Sequence, residues 1–130
     1  MFGVILASLL FLVPPTVDTT ELLDAMYTVE SGRGKNLVGD GGKAIGPYQI
    51  WREYWQDAVE YDPSIGGKYE DCMNKAYSER IIRAYWARYA PKGATVEQLA
   101  RIHNGGPRGH KRSATVKYWN KIVAEIRRSS

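Results

Sequence analysis

The stretch VESGRGKNLVGDGGKAIGPYQI, residues 29–50, places two acidic side chains on either side of a glycine-rich run. The two acids are Glu30 and Asp40. The stretch fits two descriptions. It is either a solvated loop with a helix-end glutamate and a turn aspartate, or a pair of carboxylates mounted for catalysis. The residue types alone leave both descriptions open.

The glycines in this stretch predict where the flanking helices end and begin. DTTE, residues 18–21, is a capping-box pattern that opens a helix, and the glycines that follow end it near Glu30. A small β hairpin fits the glycine run, with its turn at residues 39–42. Pro47 suits the first turn of a second helix. The apolar face of that helix is expected to comprise Ile50, Trp51, Tyr54, Trp55 and Ala58.

The rest of the chain is predicted to form helices joined by turns. A long helix over residues 69–89 includes the single cysteine, Cys72, as a small buried hydrophobe. TVEQ, residues 95–98, is a second capping box that starts a short helix, and HNGGP, residues 103–107, is expected to be a loop. A last helix carries an apolar stripe of Val116, Trp119, Ile122 and Ile126. The pattern is mainly helical, with one irregular insertion.

The composition is that of one globular domain with a basic C-terminal part. The chain has 130 residues, 44% hydrophobic and 25% charged, which are ordinary globular values. From Arg101 onward, Glu125 is the single acid among many lysines and arginines. Such a surface attracts nucleic acid, acidic lipid or a bacterial wall polymer, and charge alone does not separate these partners.

The N-terminal residues resemble an export signal. Residues 4–13, VILASLLFLV, are too few to span a bilayer and have the length of a signal-peptide core. Residues 1–3 carry no Lys or Arg, and no clear A-x-A cleavage site follows. We expect a signal peptide or apolar leader over residues 1–17, a single domain over residues 18–130, and a secreted or periplasmic location.

Among the common catalytic arrangements, this sequence best fits catalysis by a pair of carboxyl groups. The only histidines are His103 and His110, and no Cys/His cluster has zinc spacing. Cleavage of a glycosidic bond needs one carboxyl group that holds a proton and one that stays ionised. Partial burial beside the negative end of a helix dipole would favour the protonated form of Glu30. Asp40, among glycines, is open to solvent and to backbone N–H groups that favour the ionised form.

Two further segments could line a substrate cleft. Gln49 follows the glycine run and could point its amide toward the two acids. HNGGP supplies His103, Asn104 and bare glycine backbone, a shape suited to lying along a sugar chain. Each segment also has a structural interpretation, because Gln49 could cap a helix start and HNGGP could be a rigid connector.

Several motifs occur in a fixed order along the chain. They are VESG (29–32), GPYQI (46–50) followed by Tyr54-Trp55, the run from Arg83 to Ala90, ARIHNGGPRG (100–109) and Tyr118-Trp119. In this order, over residues 22–124, they resemble the invertebrate-type (i-type) lysozyme or destabilase family. GDGGKAIGPYQI also resembles lysozyme-like proteins of bacterial or phage type.

The resemblance implies a fold, a reaction and a set of site residues. The fold is lysozyme-like and α+β, mostly α, with five or so helices and a small β hairpin beside a substrate cleft. The reaction is hydrolysis of the β-1,4 bond between N-acetylmuramic acid and N-acetylglucosamine in peptidoglycan. Glu30 would be the catalytic acid and Asp40 the nucleophile or stabiliser. The expected substrate-binding residues are Ser31, Tyr48, Gln49, His103, Asn104, Gly105 and Tyr118.

One departure from the family concerns cysteine. Animal members are rich in disulfides, whereas this chain has Cys72 alone, and His110 stands where the family usually has a cysteine. This indicates a cysteine-poor, bacterial- or phage-like branch. It also predicts lower stability than a cross-linked relative, because each lost bridge typically costs about 2–5 kcal/mol.

The expected partner is bacterial peptidoglycan as substrate. We expect no cofactor, no metal, no nucleic-acid partner, no stable membrane insertion after leader removal, and a monomer. Two alternatives remain open at this stage. One is a lytic transglycosylase that uses Glu30 alone, and the other is a non-catalytic cationic glycan-binding or antimicrobial protein. Isopeptidase action, credited to some destabilases, lacks a convincing nucleophile–base pair in the sequence.

Overall fold

A computed structural model describes residues 17–130 of the chain. The predicted leader lies outside the described residues apart from Val17, so its assignment stays a prediction. Residues 17–130 form five α-helices and one three-stranded antiparallel sheet. The predicted class, α+β and mostly α, is confirmed. In this part of the chain no helix is long and apolar enough to cross a membrane.

The five helices pack around one central helix. Their bounds are α1 Thr19–Ser31, α2 Arg52–Tyr61, α3 Lys75–Tyr89, α4 Val96–Gly105 and α5 Val116–Ser129. Short 3-10 turns cover Asp40–Gly42, Pro63–Ile65, Tyr69–Met73, Gly109–Lys111 and Ser113–Thr115. α4 contacts α1, α3 and α5, while α2 packs on α3 and α1 packs on α5. The end of α4 therefore lies near the end of α1, which carries Glu30.

The core draws apolar side chains from every helix and from β3. Its largest fully buried side chains are Tyr48, Leu22, Met26, Ile50, Ile81, Ile82, Ile102 and Ile122. Burying one such aliphatic side chain contributes about 1.5–3 kcal/mol. Cys72 is buried as predicted, and this continuous core is what holds the helices together among the described residues.

Helix α1 has clear start and stop residues. Asp18 caps its start by accepting a hydrogen bond from the Glu21 amide at 2.9 Å. The helix ends where Gly32 adopts a left-handed φ of 60° and its amide donates to the Thr28 carbonyl. Glu30 therefore lies in the last turn of α1, as predicted.

The glycine-rich run folds into the small sheet. Its strands are β1 Val38–Gly39, β2 Ala44–Ile45 and β3 Ile50–Trp51, in the order β1-β2-β3. The turn between β1 and β2 covers Asp40–Gly42, where it was predicted. The assignment of Ile50 and Trp51 to a helix was wrong. Gln49 has a left-handed φ of 53°, which interrupts any helix, and Ile50 pairs with Ile45 instead.

The long helix predicted over residues 69–89 is divided in two. Asn74 adopts an extended ψ of 131° between a 3-10 turn and α3. Its side chain accepts a hydrogen bond from the Tyr77 amide at 2.9 Å and so caps the start of α3. Asparagine favours such caps because its short side chain reaches the free amides of the first turn.

The prediction that HNGGP is entirely a loop was also wrong. Helix α4 continues through Gly105, and Gly106, with a left-handed φ of 88°, follows it. The capping box of Thr95 and Gln98 starts α4 as predicted. The extra turn is stable because the His103 side chain finds buried hydrogen-bond partners. Gly105 meets the Thr115 side chain so closely that a Cβ would overlap it.

Candidate active site

One cleft contains both Glu30 and Asp40. It has a volume of about 440 Å³ and is lined by α1, the sheet, α2, α3 and the end of α4. The lining residues are Glu30, Asp40, Gln49, Trp51, Glu53, Tyr54, Asp57, Tyr85, His103, Asn104, Gly105, Gly106 and Pro107. A concave, partly aromatic cleft with convergent polar groups is the usual form of a binding site.

Glu30 is held in the cleft by two groups from distant parts of the chain. Its side chain is 16% exposed. Its Oε2 accepts a hydrogen bond from the Tyr118 hydroxyl at 2.9 Å and lies 3.0 Å from Nε2 of His103. Both contacts fall on Oε2, so no described group bonds to Oε1. That second oxygen is therefore the one available to a ligand.

The contacts of His103 fix the position of its ring. Its side chain is 3% exposed, and Nε2 lies 3.1 Å from the Tyr48 carbonyl. A carbonyl only accepts, so Nε2 carries a hydrogen and donates it to Tyr48. The Tyr54 hydroxyl lies 2.9 Å from Nδ1. The ring is thereby held against the Glu30 carboxyl group, whose Oε2 lies 3.0 Å from Nε2.

The two tyrosines of this cluster remain hydrogen-bond donors. Burial, followed by the nearby Glu30 carboxylate, raises the pKa of Tyr118 well above its usual value. Burial likewise raises the pKa of Tyr54, with smaller contributions from Tyr85 and Glu30. Tyr54 also stacks on Tyr85 with ring centroids 3.7 Å apart. Tyr118 therefore keeps its hydroxyl hydrogen for Glu30, and Tyr54 keeps its own beside His103.

Asp40 occupies a contrasting position at the turn of the sheet. It is exposed, and its backbone has a left-handed φ of 49°, a conformation that aspartate tolerates better than most residues. Its Oδ2 accepts a hydrogen bond from the indole N–H of Trp51 at 3.0 Å. This single bond from β3 fixes where the carboxylate points.

Gln49 lines the cleft, but its amide also holds the sheet together. Its Nε2 donates to the Gly46 carbonyl at 3.0 Å. Gly39 lies against the other end of the amide, where a Cβ would overlap Oε1. Backbone strain of the kind seen at Gln49 and Asp40 is often concentrated at functional sites. Here it shapes the turn that presents Asp40.

The predicted binding residues divide into two groups. Gln49, His103, Asn104 and Gly105 line the cleft, although His103 is buried behind Glu30. Ser31, Tyr48 and Tyr118 do not line it. Ser31 accepts from the Gly34 amide and donates to the Tyr27 carbonyl, and the Tyr48 hydroxyl donates to Glu79 at 2.6 Å. Tyr118 reaches the site only through its bond to Glu30.

The prediction of binding residues missed several that line the cleft. These are Trp51, Glu53, Tyr54, Asp57 and Tyr85. Trp51 was assigned to a helix face because a strand of two residues gives no alternating pattern to detect. Tyr54 was assigned to the apolar face of a helix, and Tyr54 and Tyr85 do belong to the core as well.

A known protein family matches the part of the chain that forms the cleft. The Destabilase family profile matches residues 19–124, a range that includes the whole lining of the cleft. The chain belongs to the Destabilase family. The resemblance to i-type lysozymes is thereby confirmed, and several relatives of the chain are invertebrate-type lysozymes.

Relatives of this Destabilase chain match it over different lengths. Lysozyme 1 of Crassostrea virginica is 43% identical over 86 residues, which are 63% of this chain and 45% of that protein. The match thus spans about half of that relative. The lysozyme of Ostrea edulis is 31% identical over 129 residues, which are 91% of each chain.

Solved structures of lysozymes have the same fold. The crystal structure of Tapes japonica lysozyme superposes with a TM-score of 0.66 at 33% identity, covering 78% of this chain and 85% of that one. Meretrix lusoria lysozyme, in complex with Aeromonas hydrophila PliI, gives a TM-score of 0.66 at 31% identity. The predicted lysozyme-like fold is confirmed.

Proposed function

We propose that this protein is a peptidoglycan hydrolase that cleaves the β-1,4 bond between N-acetylmuramic acid and N-acetylglucosamine. The observation that carries the proposal is the Glu30 carboxyl group. It is fixed through Oε2 by Tyr118 and His103 and shares a cleft with the exposed Asp40. The relatives named lysozymes, matched over part or most of their length, support the same reaction.

In this proposal the two acids have different chemical roles. Glu30 is the general acid and gives its proton from Oε1, because Oε2 already accepts a hydrogen bond from Tyr118 and lies against His103. It gives this proton to the oxygen of the departing sugar as the glycosidic bond breaks. Asp40 is exposed and accepts from the Trp51 N–H, and its carboxylate stabilises the positive charge that develops on the other sugar or attacks the anomeric carbon of that sugar. A water molecule then adds to this carbon and gives its proton to Glu30, which completes the hydrolysis.

The surface charge fits an anionic wall as substrate. From residue 101 onward, every charged side chain except Glu125 is a lysine or an arginine, histidines aside. A bacterial wall carries negative charge. Long-range attraction of this kind raises the local concentration of enzyme at the wall and weakens as salt is added. A secreted or periplasmic site of action is part of this proposal.

The test is the release of reducing ends from purified peptidoglycan by wild type and by Glu30→Gln. We expect the variant to lose at least about a hundredfold in rate, since a positioned general acid contributes about 10²–10⁴-fold. Glu60→Gln is the matched control, because the Glu60 side chain is 69% exposed, pairs with Arg88 and does not line the cleft. The control should retain the wild-type rate.

Two outcomes would overturn this proposal, and a third would separate bacterial killing from catalysis. If wild type releases no fragments, the protein is not a peptidoglycan hydrolase. Products ending in 1,6-anhydromuramic acid would indicate a lytic transglycosylase instead. If Glu30→Gln still kills bacteria while releasing no reducing ends, the killing is non-catalytic and rests on the cationic surface.

A further inference from the structure

Trp51 stands out among the cleft residues because a large aromatic ring is left exposed there. It is 41% exposed and ends strand β3, where it pairs with Ala44 of β2. The side chain lines the cleft and also a neighbouring depression of about 340 Å³ that contains Lys43 and Tyr69. Trp51 therefore forms the partition between the cleft and this neighbouring depression.

The indole N–H of Trp51 is what orients Asp40. The bond from Nε1 to Oδ2 is 3.0 Å long, and it is the one side-chain hydrogen bond that Asp40 makes among residues 17–130. Asp40 lies on a turn flanked by glycines, and among residues 17–130 its side chain makes no ion pair. The direction of its carboxylate thus depends on one residue of the adjacent strand.

The ring of Trp51 is rigidly presented as well as exposed. Its backbone is paired in the sheet, its N–H is tied to Asp40, and the Lys43 ammonium lies 5.8 Å from the ring centroid. A partly exposed tryptophan leaves apolar surface in water. The apolar C–H face of a sugar ring is well matched to such a surface, with polar hydroxyl groups left at its rim.

We propose that Trp51 has two tasks, to position Asp40 through its N–H and to form a stacking platform for a pyranose ring on the Asp40 side of the cleft. The first task rests on the proposed function, because it requires Asp40 to act on the substrate. The second is a binding site for a sugar ring of peptidoglycan and is measurable without turnover.

Two variants separate the two tasks. Trp51→Phe keeps an aromatic ring and removes the N–H, so kcat should fall about tenfold while KM stays within about twofold. Trp51→Leu removes both, so KM should also rise by about tenfold. Trp119→Phe is the control, because Trp119 lies on α5 and does not line the cleft. Thermal unfolding verifies that each variant is folded.

A binding experiment keeps this proposal independent of catalysis. Uncross-linked glycan strands from peptidoglycan are titrated into Glu30→Gln, with and without Trp51→Leu, and binding is followed by isothermal titration calorimetry. Binding should be at least about tenfold weaker without the ring. If wild type has no turnover but this loss is seen, the proposed function fails and the platform stands.

The proposal about Trp51 fails on two results. Equal binding by the two Glu30→Gln proteins would remove the stacking platform. A kcat of Trp51→Phe equal to that of wild type, in an active enzyme, would remove the positioning of Asp40.

Discussion

The two acids of the cleft are held in opposite ways. Glu30 is mostly buried, accepts a hydrogen bond from Tyr118, 88 positions away in sequence, and lies 3.0 Å from Nε2 of His103 in α4. Asp40 is exposed and takes one bond from Trp51, 11 positions away, within the same small sheet. The two carboxyl groups therefore differ both in their exposure to solvent and in the parts of the chain that hold them.

The two regions also differ in what would disturb them. The Glu30 site depends on side chains of α1, α4 and α5, so it is assembled only when the helices pack together. The Asp40 site depends on backbone conformation in the turn and on close contacts of glycines. Added Cβ atoms should therefore affect the second region more than the first.

The largest expected effect comes from breaking the sheet region at Gly46. A Cβ there would overlap the carbonyl oxygen of Cys72, which is backbone and cannot turn aside, and φ is 82°. Gly46→Ala should lower the free energy of unfolding in urea by about 3 kcal/mol. Gly42→Ala is the control, with φ of 95° and nothing near its Cβ. It should cost about 1 kcal/mol.

Equal losses in these two alanine variants would show that the left-handed backbone, not the contact with Cys72, is what limits the sheet region. The comparison between the regions would then need revision, because the sheet would be held by local conformation alone.

The helix region is tested most cleanly by Tyr118→Phe. This change removes the donor to Glu30 and keeps the ring, so kcat for reducing-end release should fall about tenfold. KM should stay within about twofold, because Tyr118 does not line the cleft. Tyr61→Phe, at an exposed residue outside the cleft, should have wild-type kinetics. An unchanged kcat in Tyr118→Phe would mean that Glu30 needs no donor from α5.

The smallest expected effect is at Glu79, which does not line the cleft but accepts a hydrogen bond from the buried Tyr48. Burial opposes its charge, but hydrogen bonds from Lys75 and Tyr48 outweigh burial and hold the pKa of Glu79 below its ordinary value of 4.5. A lowered pKa in the folded state stabilises the fold above pH 4.5, and this contribution is lost as pH falls through the lowered value.

Unfolding of wild type and Glu79→Gln should therefore differ most at neutral pH, by about 0.5–1 kcal/mol, and converge in acid. Lys75→Met, which removes one of the two hydrogen bonds, should show a smaller pH dependence than wild type. Parallel stability curves for wild type and Glu79→Gln at every pH would contradict this assignment.

The fold was predictable where one residue type dictates local structure. The Gly32 stop, the turn at residues 39–42 and the capping box at Thr95 all follow from short-range rules. Glu30 at the end of α1 followed from the same rules. Burial of Cys72 followed from the usual behaviour of a lone cysteine as a small buried hydrophobe.

The remainder could not be predicted because it depends on contacts between distant residues. Ile50 and Trp51 form a strand only because β2 is beside them, and their two-residue length carries no periodic signal. His103 belongs to α4 because its ring bonds to Tyr54 and to the Tyr48 carbonyl. Gly105 belongs to it because a residue without Cβ fits against Thr115. The bond from Trp51 to Asp40 depends in turn on that unforeseen strand.

Whether the two acids act together is decided by comparing Asp40→Asn with Glu30→Gln. The measurement is the rate of reducing-end release from peptidoglycan, with the products identified by mass. We expect both variants to fall at least about a hundredfold below wild type and to lie within about tenfold of each other. Near wild-type turnover by Asp40→Asn, with 1,6-anhydromuramoyl products, would contradict the account.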